Sequence, residues 1–124
     1  MGMKARGGTG RTRSVDNIDE ALTSRIRQTL GPRGDVAEKR MFGGMCFMVG
    51  GNMCVGVTKG RMMIRVGKEF YDDAMSQPHS RAMDFTGKPM MGFVFVDTEG
   101  TKTLAAVARW VARGLRYNES LPRK

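Results

Sequence analysis

Two dipeptides constrain this chain more than anything else in it: Gly50-Gly51 and Lys59-Gly60. Each separates runs of apolar residues. A two-residue loop of this kind, able to take positive φ, closes a tight antiparallel hairpin. The first turn pairs Val49 with Asn52, Met48 with Met53 and Cys46 with Val55; the second pairs Thr58 with Arg61 and Val57 with Met62. Side chains alternate faces along a strand. One face of this three-stranded meander then carries Cys46, Met48, Met53, Val55, Val57, Met62, Ile64 and Val66, all apolar or thiol. The other carries Met45, Phe47, Val49, Asn52, Cys54, Gly56, Thr58, Arg61, Met63 and Arg65, a mixed set. Two turns read independently agree on one uniform face, and a one-residue slip in either would destroy that agreement. The expectation is that the uniform face is the core.

The flanking segments read as follows. "DNIDEALTSRIRQTLGP" has a helical stripe at Ile18, Leu22, Ile26 and Leu30, a cap at Asp16 or Asn17, and a Gly31-Pro32 stop. "GKEFYDDAMSQP" is a short helix closed by Pro78. "RAMDF" and "MMGFVFV" are strands across a Thr86–Pro89 loop. "TKTLAAVARWVARGLRY" is a last helix with Leu104, Val107, Ala108, Val111 and Leu115 inward and Arg109, Arg113 and Arg116 outward. The order is helix, three strands, helix, two strands, helix. That predicts an α+β domain with helices packed on an antiparallel sheet.

At 124 residues the chain has material for one core. It holds no apolar run near the ~20 residues of a membrane span. The start is basic without an apolar segment of the secretory type, and there are two Cys. A reducing, cytoplasmic setting with no membrane association is expected. Residues 1–14 have almost nothing to bury and are expected to form a disordered basic tail, with the domain at 15–122. Net charge is +9, of which Lys4, Arg6, Arg11 and Arg13 supply four. A field of this sign favours polyanions in general, nucleic acid included.

The chemistry-bearing residues do not assemble a catalytic set. Cys46 and Cys54 are eight apart and read onto opposite faces, unlike the close pairs of a zinc site, and no metal or cofactor is expected. Cys54, on the mixed face, reads as partly exposed. The Met residues read as adaptable packing. His79 is the one histidine, in a loop without a nucleophile elbow, and the sparse carboxylates form no acid–base pair. No enzyme is expected. Two surfaces remain. Lys4, Arg6, Arg11 and Arg13 with Arg109, Arg113 and Arg116 are candidate phosphate contacts. Met45, Phe47, Cys54 and Met63 form an apolar patch on the mixed face, a candidate homodimer interface or, equally, a surface for the chain's own C-terminal helix to cover.

"LGPRGDVAEKRMFGG", "MVGGNMCVGV", "MIRVGKEFY", "PHSRAMDFTGKPMMGFVFV" and "ARWVARGLRYNESLP" together resemble the TfoX/Sxy N-terminal domain family over roughly residues 16–122. The resemblance implies a secretion-chaperone-like α+β domain. It also implies a bacterial regulatory module of the competence and transcription-regulator type, acting with a protein partner that is itself a transcription regulator. Family regulators carry a second, C-terminal domain; this chain is expected to be a short stand-alone member without it. The family supplies no catalytic residues to carry over.

Overall fold

A computed structural model describes residues 13–41, 43–84 and 89–124. Three helices, α1 (Arg13–Leu30), α2 (Tyr71–Met75) and α3 (Leu104–Asn118), accompany six strands. The strands are β1 (Val36–Met41), β2 (Gly44–Val49), β3 (Asn52–Thr58), β4 (Arg61–Arg65), β5 (Ser80–Asp84) and β6 (Pro89–Val96). They form one antiparallel sheet in the order β1-β2-β3-β4-β6-β5. The class is α+β with helices packed on the sheet, as the element order predicts. A 3₁₀ turn at Thr98–Thr101 links β6 to α3, whose first free N–H groups are capped by Thr103.

The expected three-stranded meander is a four-stranded one. The added strand, β1, reads Val-Ala-Glu-Lys-Arg-Met and lies at the sheet edge with only its two ends half-buried. Charged residues suit an unpaired edge. They also hide the apolar alternation that marks a strand in sequence. Three further expectations are corrected at element ends. α1 starts at Arg13, a turn before the Asp16–Asn17 cap, so those residues lie within its first turns, where acids suit the helix dipole. The middle helix shrinks to five residues. Leu104, read as core, is 46% exposed because it begins α3 beyond the sheet, and Trp110 takes the buried position instead.

Both tight turns hold. Val49 pairs with Asn52 and Met48 with Met53; Thr58 pairs with Arg61 and Val57 with Met62. The face assignment holds for Val55, Val57, Met62, Ile64 and Val66 and fails for Cys46, Met48 and Met53. Phe47, not Cys46, stands opposite Val55. One extra residue, Cys54, sits in β3 between Met53 and Val55, a β-bulge that advances the ladder by one position. Beyond it, β2 is read from the other side. Phe47, Val49, Cys54, Val55, Val57, Met62 and Ile64 therefore join Leu22, Ile26, Leu30, Val107 and Val111 in the core beneath the helices. Cys46, Met48 and Met53, expected in that core, lie on the opposite face.

Helix α3 is seated on the bulge. A β-carbon at Gly114 would come within 3.1 Å of Cys54 Sγ and of Val55 Cγ1, so the absent side chain is what allows the approach. Polar anchors fix the rest. The buried Asn118 donates from Nδ2 to the Val49 carbonyl (3.0 Å), and Asn52 Nδ2 to the Pro122 carbonyl (2.8 Å). The Gly60 N–H donates to the Asp19 carboxylate (2.6 Å), tying the β3–β4 turn to α1. We predict that Phe47→Ala, which empties a fully buried site, costs about 3–5 kcal/mol, while Met48→Ala, at a half-buried one, costs under about 2 kcal/mol. Urea unfolding checks this; the reverse order would restore the unbulged register.

Candidate functional site

The bulge leaves the sheet with two apolar faces and, among the described residues, one set of helices. A second buried cluster comprises Cys46, Met53, Met63, Met83 and Phe95, with half-buried Met41, Met48, Met90 and Phe93 packed against it. Every member comes from a strand. Among the described residues α1, α2 and α3 contribute buried apolar side chains to the first cluster only. An antiparallel sheet that shows one face to water normally alternates apolar inward with polar outward. Here the outward set is thioether and aromatic.

Cations border this face. Arg61 places its guanidinium 3.9 Å from the Phe95 ring centroid, and Arg65 lies 5.6 Å from that of Phe93 and 5.4 Å from that of Tyr117. Lys39, opposite Cys46 in the β1–β2 ladder, is exposed on the same side. Arg81 pairs with Asp97 at 2.6 Å.

The four residues read as one interface patch do not share a face. Phe47 and Cys54 are fully buried beneath the helices, and Met45 is partly buried against them. Met63 is fully buried in the second cluster. The cause is again the bulge, which carries the first three to the helix side. The apolar outward surface is a different set, centred on Met48, Met90 and Phe93.

The α3 arginines do not form a stripe of free charge. Arg113 donates to Asp73 (2.6 Å) and lies 5.3 Å from the Trp110 ring centroid. Arg116 stacks 3.7 Å from that of Phe70. Arg109 is exposed, and of the three it alone has no ion pair or ring contact among the described residues. It borders a cleft of about 290 Å³ between α3 and the α2–β5 turn, with His79, Glu99, Trp110 and Arg113 in its walls. His79 holds φ +70, the left-handed region that non-glycine residues rarely enter. Lys4, Arg6 and Arg11 lie outside the described residues, as does the side chain of Arg13.

The thiols do lie on opposite faces, though exchanged: Cys54 is under α3 and Cys46 in the second cluster. Cys54 is fully buried, not partly exposed. Burial pushes its thiol up to about 12, against weaker opposing pulls from Arg33, Arg123 and Arg65. Burial raises Cys46 as well. Neither is a thiolate near neutral pH, so neither is an activated nucleophile. We predict slow labelling of both by a thiol reagent at pH 8 in the native chain and rapid labelling after unfolding; fast native labelling of Cys54 would contradict its burial. Linkage adds a pH effect. Between the ordinary thiol value of 9.0 and about 12, the unfolded chain loses a proton that native Cys54 keeps. Stability therefore falls as pH rises through that window, and Cys54→Ala should flatten the fall.

Comparison with known proteins adds one positive finding. The model of the TfoX N-terminal domain family matches residues 28–117, from the end of α1 to the last turn of α3. No protein of curated function matches the chain. No helix among the described residues is long and apolar enough to cross a membrane.

Proposed function

Because the chain belongs to the TfoX N-terminal domain family, we propose that it is a non-enzymatic regulatory module that works through protein–protein contacts in the bacterial cytoplasm. The observation that carries this reading is the second sheet face, a methionine- and phenylalanine-lined surface to which no described helix contributes. A sheet face of that composition gains by meeting a partner layer. Methionine-rich surfaces suit this work because the flexible, polarisable side chain repacks around different partners. In this reading the partner is a transcription regulator, the kind that the resemblance to competence regulators implies. Competence control is one setting for such a module, and a homodimer is one way to cover the face. The un-ionised, buried thiols support a role without covalent chemistry.

A second reading has its own observation. Arg109, which has no ion pair among the described residues and stands with His79 at the α3 cleft, offers a cation to a phosphate, and the basic N-terminal residues would add to it. Direct nucleic-acid binding through these groups predicts an affinity that falls steeply with salt.

One capture experiment separates the two. We predict that the tagged full chain retains a protein partner after nuclease treatment. We further predict that Met48→Glu, folded by circular dichroism, loses the partner while Arg109→Glu keeps it. Capture abolished by nuclease and by Arg109→Glu, yet indifferent to Met48→Glu, would overturn the protein-contact reading in favour of the second.

A further inference from the structure

Resting on the protein-docking reading above, we infer that the second sheet face takes an acidic amphipathic helix of a partner protein. Three observations define the occupant. The first is the layer. All described helices lie on one side of the sheet, and a helix is the element that layer packing sets across a sheet face whose apolar rim, Met48, Met90 and Phe93, is only half-buried. Its apolar residues at i, i+3, i+4 and i+7 would meet Met48, Met90 and Phe93.

The second is the sign of the charge. Arg61, Arg65 and Lys39 border the face, and among the described residues none has a carboxylate partner. The rings beneath Arg61 and Arg65 attract the charge but occupy none of the in-plane N–H donors that bind a carboxylate. The carboxylates nearby are spoken for or turned away. Asp97 is held by Arg81. Glu38 pairs with Arg27 of α1 on the helix side.

The third excludes the simplest alternative. A second copy docked face to face about a two-fold axis would double the cations bordering the contact and bring no free acid to meet them, at a cost. An acidic partner turns that cost into attraction. It also keeps wrong partners away, since a basic amphipathic helix would meet like charge over the same apolar floor.

The test uses the full chain with ¹³C-methyl methionine and three synthetic helical peptides. The peptides share one leucine face and carry Glu, Gln or Lys at every polar position. The Glu peptide should bind at least about 10-fold tighter than the Gln peptide and shift the Met48 and Met90 methyls, while the Lys peptide binds more weakly than either. Arg61→Glu and, separately, Lys39→Glu should narrow or reverse the Glu-over-Lys preference. The Glu advantage should also shrink as salt rises from about 0.05 to 0.5 M. Glu and Gln peptides of equal affinity on this face would overturn the acidic partner while leaving the docking reading intact. Failure of all three peptides to reach the face of a folded chain would remove both. Methyl shifts that track chain concentration without peptide would replace the partner helix with a second copy.

Discussion

The bulge at Cys54 is the constraint on which the rest of the structure depends. By inserting one residue into a central strand it turns Phe47, Val49 and Met45 under the helices and Cys46, Met48 and Met53 to the other side. Gly114 lets α3 settle onto the bulged backbone, and Asn118, one turn on, bonds the Val49 carbonyl. Helix position and strand register therefore specify each other. A side chain at 114 would lift α3 from Cys54, and without the bulge α3 would meet Met48 instead of Phe47.

The consequence is a sheet apolar on both sides, with the described helices on one. β3 is buried along its whole length, which is the pattern of a strand covered on both faces. The described helices supply one cover. On the other face the central side chains are buried too, with Arg61 laid over Phe95, and Met41, Met48, Met90 and Phe93 are half-buried around them. Such a surface can persist in water and still gain from a partner. That combination is what the proposed interaction module requires.

How much of this could be read in the sequence follows from which residues carry contrast. The turns at Gly50-Gly51 and Lys59-Gly60 were legible because few sequences close a two-residue hairpin, and their pairings are observed. The β4 core face, Met62 and Ile64, was legible because Arg61 and Arg65 alternate with it. The β2 face was not. Met45, Phe47 and Val49 are as apolar as Cys46 and Met48, so alternation gave no reason to prefer either side, and nothing in "NMCVGV" marks Cys54 as the extra residue. Strand β1 escaped because its charges are those of an edge. Of the candidate site residues, Arg109 was placed correctly as an outward cation. The ring and ion-pair contacts of Arg113 and Arg116 depend on Asp73 and Phe70, which only the tertiary fold brings near. The anchors Asn52 and Asn118 carried no local signal at all.

The account turns on whether the methionine face is open in the free chain, and the methionines themselves can report it. Methyl NMR with a soluble paramagnetic probe tests this directly, because the probe broadens only methyls it can approach. The account predicts strong broadening of Met41, Met48 and Met90 and none of Met62, which lies fully buried under the helices. Protection of Met41, Met48 and Met90 equal to that of Met62 would mean the face is already covered, and would contradict the account.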